Sequence, residues 1–149
     1  MKKLILFVTA LTAATASQAQ LPGLRKRTGP PPAEAIAQGI DAQRAEFAAQ
    51  SGGTTIFFGA ESVGLGVPAR TTLAAQAAWL RRHPEVVVRV EGYGDTTDTR
   101  DHAIAVGAQR ADAVRAYLIL MGVPAAQLSI TSWGKERPGL GRAVTVLVR

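Results

Sequence analysis

The sequence predicts a chain of the α/β class, an α+β sandwich in the order β-α-β-α-β-β, with two helices packed on a mixed sheet and one further helix ahead of it. Three observations carry this. Residues 85–91 alternate: Val86, Val88 and Val90 share one face, and Val87, Arg89 and Glu91 the other. Residues 99–121 place Ile104, Ala108, Ala111, Val114, Leu118 and Met121 at helical spacing. Gly122 then stops that helix, Pro124 bars its continuation, and a short strand follows at Leu128 to Ser132. Strand-helix-strand order favours a crossover that lays the helix on one sheet face.

The elements follow in order. Met1-Lys2-Lys3 and the mostly apolar run Leu4 to Ala16 have the form of an export signal, too short to span a bilayer. Ser17-Gln18-Ala19 is a small-x-small cleavage pattern, so a signal peptide over 1–19 is expected. Pro and Gly crowd residues 20–32, which therefore read as linker, with the basic cluster Arg25-Lys26-Arg27 inside it. That cluster is expected to be solvated rather than membrane-bound. Residues 33–50 place Ile36, Ile40 and Phe47 at helical spacing, broken by Gln43, and Ser51-Gly52-Gly53 ends them. This helix, within a 20–53 segment of linker and amphipathic helix, either packs on the domain or leads into it.

The compact domain is expected over 54–149. Thr54 to Phe58 is β-branched and aromatic, a strand. Pro68 suits a first helical turn; Leu73, Ala77 and Leu80 give that helix an apolar face; Pro84 ends it. The last strand runs from Arg142 to Val148, alternating Val144, Val146 and Val148 against Ala143, Thr145 and Leu147.

Composition narrows the function. The formal charge is +6, and loss of Lys2 and Lys3 with a signal peptide would leave +4. That permits contact with anionic envelope polymers without demanding nucleic acid. The chain has no cysteine, so no disulfide supports the core and no lipid can be attached to a mature N-terminal Cys.

The residues offer several other chemical readings. Gly64-Leu65-Gly66-Val67-Pro68-Ala69, with Glu91 ending the next strand, has the look of a dinucleotide loop, but Gly59 to Val63 separate it from the first strand. Asp95, Asp98, Asp101 and His102 lack the spacing of a calcium loop and fit a helix-capping acidic turn instead. Ser62, His102 and Asp95 lack a nucleophile elbow. Trp79 and Trp133 are expected to pack rather than stack on sugars. No catalysis, cofactor or metal site is expected. That leaves Asp95, in Glu91-Gly92-Tyr93-Gly94-Asp95, and Arg110, fifteen positions later on the long helix. From the residues alone they read as an acid and a base that meet each other or solvent.

A set of motifs in order changes that reading. Ile56-Phe57-Phe58-Gly59-Ala60-Glu61-Ser62, His83-Pro84-Glu85, Arg110-Ala111-Asp112-Ala113-Val114 with Tyr117-Leu118, Gly122-Val123-Pro124-Ala125 and Trp133-Gly134-Lys135-Glu136-Arg137-Pro138 together resemble the OmpA-like peptidoglycan-binding domain. That domain is shared by outer-membrane porin tails, peptidoglycan-associated lipoproteins and flagellar stator proteins. The resemblance covers about residues 54–149. It implies non-covalent binding of a diaminopimelate-containing stem peptide in the periplasm, at the outer membrane or cell wall. Asp95 would take the ligand ammonium and Arg110 a ligand carboxylate, with Glu61, Gly94 and Arg142 as further pocket residues.

Five departures from the family stand out. Gly94 replaces a Thr or Ala, Ala103 a pocket Asn, and Val106-Gly107 a Leu-Ser step. The loop before the last strand is only Gly139-Leu140-Gly141, and the family's closing paired Arg is Arg142-Ala143 here. These departures motivate an alternative: a module that binds a protein partner in an envelope assembly.

Overall fold

A computed structural model describes residues 32–137 and 142–148. The expected signal peptide at 1–19, the linker with its 25–27 basic cluster and the short 139–141 loop lie outside the described residues.

Among the described residues, seven α-helices and strands form in the expected order. They are α1 (Pro32–Gln50), β1 (Thr55–Phe57), α2 (Val67–Arg82), β2 (Val88–Tyr93), α3 (Arg100–Leu120), β3 (Leu128–Gly134) and β4 (Arg142–Leu147). The sheet order is β1-β4-β2-β3. β2 and β3 are parallel, so α3 is the crossover between them, and β4 runs antiparallel to β1 and β2. Val88 pairs with Leu128 on one side and Leu147 on the other, which brings the apolar faces of the three strands into line beneath the helices.

β2 begins three residues later than the alternation suggests. The chain turns after α2, with Val86 N–H bonded to His83 O at 3.1 Å. The Gln127 amide pins this turn by donating to His83 O (2.9 Å) and Val86 O (3.0 Å). β2 then continues to Tyr93, so Asp95 comes just past its end. His83 caps α2 and stacks on Trp79 with ring centroids 3.8 Å apart. Trp79 is fully buried and meets Phe47 of α1 edge-on at 5.1 Å. Trp133 is half-buried, with the Arg137 guanidinium 3.8 Å over its ring.

Two apolar stripes differ from expectation. In α1 only Phe47 is buried; Ile36 is 64% exposed. The helix engages the domain through its C-terminal half, where Phe47 enters the core and Arg44 donates to Leu147 O at 3.1 Å. In α3 the buried face is Ala103, Val106, Gly107, Arg110, Ala111, Val114 and Leu118, while Ile104 sits on the exposed flank. An arginine therefore occupies the middle of the buried face of α3.

α3 lies unusually close to β2, and glycine makes this possible. A Cβ on Gly92 would collide with the carbonyl of Gly107 in α3, and one on Gly94 with the backbone of Ala103. The helix can approach the strand only where both surfaces are bare. Gly94, Ala103 and Gly107, each a departure from the family pattern, are thus parts of one contact.

This contact makes a prediction. Gly92→Ala places a methyl against a backbone carbonyl that cannot rotate away, and should cost about 3 kcal/mol or more. Gly39→Ala in α1, where nothing lies within 4 Å of the new methyl, should instead stabilise by about 0.5–1 kcal/mol. Urea unfolding midpoints of the two variants should therefore move in opposite directions.

Candidate functional site

The site forms where β2 ends, α3 passes beneath it, and the loop after β1 folds over both. β2 delivers the Tyr93 carbonyl, and Gly94 N–H bonds to Gly134 O at 2.9 Å, fixing the chain just before Asp95. Thr99 then caps α3 through its hydroxyl, which accepts from His102 N–H at 3.4 Å. The cap is this threonine; Asp101 sits in the first turn, and Asp98 lies 3.6 Å from the His102 ring.

Arg110 points inward from α3 and is 0% exposed. A guanidinium carries five N–H donors, and here each has an acceptor. Nε donates to Ser62 O (2.9 Å). Nη1 donates to Tyr93 O (2.8 Å) and Asp95 Oδ1 (3.2 Å), and Nη2 to Gly59 O (3.3 Å) and Asp95 Oδ2 (3.4 Å). The Phe58 ring covers the cation at 5.6 Å. A buried charge is tolerated only when paired and hydrogen-bonded, and this arrangement meets both conditions.

Asp95 completes the arrangement. Its side chain is 21% exposed, so part of the carboxylate meets solvent. Oδ2 also accepts the Glu61 N–H at 3.1 Å. The hydrogen bond from Arg110 holds the Asp95 carboxyl below its ordinary value of 3.8; desolvation opposes the shift, while the Glu61 amide and the nearby Arg110 and His102 charges reinforce it. Glu61 reaches this position with φ of 50°, the left-handed region, where no other non-glycine among the described residues is found.

The five residues singled out in the sequence are distributed unevenly. Asp95 and Arg110 meet directly. Glu61 joins them through its backbone amide, with its side chain on the exposed rim. Gly94 contributes its bareness against Ala103 rather than a pocket surface. Arg142 starts β4 in register with Phe57, at the same end of the sheet, but alternation puts its side chain on the face away from α3. Sequence reasoning missed the carbonyls of Gly59, Ser62 and Tyr93, since a backbone acceptor has no residue signature. The Arg110 fork, expected to grip a ligand carboxylate, is turned inward in this ligand-free structure, and each of its N–H groups has an acceptor in the protein.

The competing constellations do not assemble. Ser62 offers its hydroxyl to Gly64 N–H (3.1 Å) and its carbonyl to Arg110. Glu91 is buried between Arg89 (Nε, 3.0 Å) and the Tyr93 hydroxyl (3.0 Å) on the opposite sheet face, where burial and the Glu91 bond push the tyrosine up. Among the described residues no His, Asp and Glu side chains are grouped to hold a metal ion. A concavity of about 190 Å³ between Arg44, Phe47 and β4 lies away from this charged cluster.

A mixed four-stranded sheet with helices on one face, and an Asp–Arg pair joining a strand end to the following helix, defines an OmpA-like domain. Residues 57–144 match the OmpA family, and the chain belongs to it. It is 43% identical over 86 residues to the peptidoglycan-associated lipoprotein of Agrobacterium fabrum, covering 58% of this chain and 49% of that protein. It is 39% identical over 99 residues to the Pseudomonas aeruginosa protein of the same name, covering 66% of this chain and 58% of that one. The chain spans about half the length of the curated relatives it matches. The crystal structure of the peptidoglycan-associated lipoprotein from Burkholderia pseudomallei superposes with a TM-score of 0.61 at 30% identity, covering 63% of this chain and 89% of that one. The C-terminal domain of Helicobacter pylori MotB shares the fold, with a TM-score of 0.58 at 24% identity, covering 63% and 82%.

Two outcomes are expected of this geometry. Lysine offers fewer donors and no planar fork, so Arg110→Lys should lose about 3 kcal/mol or more in urea unfolding, and the Glu61 amide should exchange with solvent faster. The pH dependence has a defined sign. Because the folded Asp95 value is depressed, its contribution to stability is fully present above the ordinary value of 3.8 and is lost as pH falls through the lower folded value. Acid unfolding curves of the wild type and Asp95→Asn should therefore converge at low pH and diverge above it.

Proposed function

We propose that this chain is a non-covalent peptidoglycan-binding module of the bacterial cell envelope, working in the periplasm. The observation that carries the reading is the Asp95 carboxylate, kept ionised by Arg110 and partly open to solvent at the end of β2. A diaminopimelate-containing stem peptide presents an ammonium group that such a carboxylate would accept. The OmpA family match over residues 57–144 includes both Asp95 and Arg110, and relatives named for peptidoglycan association match 86 residues of the chain. The proposed role is tethering, without catalysis or cofactor. No helix among the described residues is long and apolar enough to cross a membrane.

The second reading, a protein-binding module in an envelope assembly, drew on Ala103, Gly107 and the short closing loop. Ala103 and Gly107 have a packing reason in the close approach of α3 to β2, so they weigh less against wall binding than their bare identities suggest.

Co-sedimentation with purified diaminopimelate-type sacculi tests the proposal. Wild-type protein should pellet, and folded Asp95→Ala should stay in solution with affinity reduced about tenfold or more, the loss of a charge-assisted contact. Folded wild type that remains in solution would overturn wall binding and turn the search to a protein partner.

A further inference from the structure

We infer that the outer edge of β3 is a self-association surface, where two copies of this chain pair antiparallel about a two-fold axis and join their sheets. The surface is separate from the Asp95–Arg110 cluster and takes no part in its chemistry.

The strand comes first. β3 ends one side of the sheet, and among the described residues only β2 pairs with it. Its far side therefore presents a row of main-chain donors and acceptors, a template for a further strand. Natural edges are commonly blunted by a charged side chain or a proline, and Leu-Ser-Ile-Thr-Ser-Trp-Gly contains neither. The register shift beside Gly92 and Tyr93 leaves Trp133 as an extra residue, so Leu128 to Ser132 is the regular stretch open to pairing. β1, at the other side of the sheet, has only three residues. With one competent edge per molecule, pairing closes at two copies.

The helix above the strand selects a second copy as the occupant. α3 is the crossover between parallel β2 and β3, so it runs opposite to both. It is seated over the line between them: Ser132 Oγ donates to Ile104 O at 2.7 Å, and bare Gly107 lies against both Gly92 and Ser132. Strands are about 4.8 Å apart, so such a helix lies about 5 Å from the seam and its two-fold copy about 10 Å away, close to the usual distance for packed helices. The flank of α3 on that side carries Asp101, Ile104, Ala108, Arg115 and Ile119 at helical spacing. Ile104 is 38% exposed, Ile119 37%, and Ile130 on the strand beneath 42%. Small Ala108 lies between the two isoleucines of the helix.

Charge completes the match. Asp101 stands in the first turn of α3 and Arg115 towards its other end. Among the described residues neither has an ion-pair partner within the chain, whereas neighbouring Arg100 is paired with Glu136 at 2.8 Å. Two copies of α3 lying antiparallel bring the acid-bearing end of each towards Arg115 of the other, twice about one axis. The edge is thus complementary to itself in main-chain hydrogen bonding, apolar surface and charge. A seam one strand and one helix deep is far smaller than the interfaces of about 2,000 Å² or more that hold permanent dimers, so the association is weak and depends on concentration.

Sedimentation velocity of the purified protein, from about 5 μM to about 1 mM, tests this, with urea unfolding confirming that each variant is folded. The wild type should pass from monomer to dimer with a Kd of about 10–100 μM. Ile130→Lys sets a charge on the open edge and should weaken the dimer about tenfold or more. Asp101→Arg and Arg115→Asp should each weaken it about threefold or more, and the double variant should recover wild-type association, which a merely structural role for either residue would not produce. A wild type that stays monomeric throughout, or that associates without closing at two copies, would overturn the inference. So would a dimer indifferent to Ile130→Lys, or a double variant no better than the single ones.

Discussion

Arg110 carries a full positive charge to a point from which solvent is excluded, and three stretches of chain bend to meet it. The loop after β1 supplies Gly59 and Ser62, the end of β2 supplies Tyr93, and the segment beyond it supplies Asp95. None of these partners is optional, because a buried guanidinium left short of acceptors is strongly destabilising. Strand end, loop and helix must therefore arrive together. The same requirement sets the chemistry of the site: the ion pair that secures the junction also ionises Asp95 and presents it to solvent.

The junction depends in turn on how closely α3 can lie on β2. Gly92 and Gly94 remove the side chains that would hold the helix away, and Gly107 and Ala103 meet them from the other side. With a bulkier strand, Arg110 would be displaced from the Tyr93 carbonyl. Beyond this contact the core is conventional apolar packing, extended by α1, whose Phe47 lies against Trp79 although the helix precedes the family-matched region.

Much of the fold was legible because period and punctuation agreed. The valine alternation in β2, the stop at Gly122 and Pro124, and the Pro68 start of α2 each had a local physical cause, and the elements formed in the expected order. The spacing of Asp95 and Arg110 was also legible, as was the plain possibility that they meet each other. What could not be read was the direction of Arg110. An apolar stripe drawn along α3 passes through Ile104 and leaves out the arginine, whereas the helix is rotated so that Arg110 is buried and Ile104 is on the flank. That rotation follows from the bare glycines of another element. The acceptors that satisfy Arg110 are main-chain carbonyls, and Glu61 acts through its amide, so no residue type announced them. In α1, Ile36 is largely exposed, which its spacing alone did not reveal.

The central claim is that Arg110 is an internal support of the fold, its five N–H donors held by the protein, with Asp95 ionised beside it. Side-chain NMR of the Arg110 Nε–H, recorded on the wild type and on Asp95→Asn, addresses this directly. The account predicts slow exchange with solvent in the wild type and faster exchange in Asp95→Asn. Fast exchange in the wild type would show that the guanidinium is open to solvent and contradict the account.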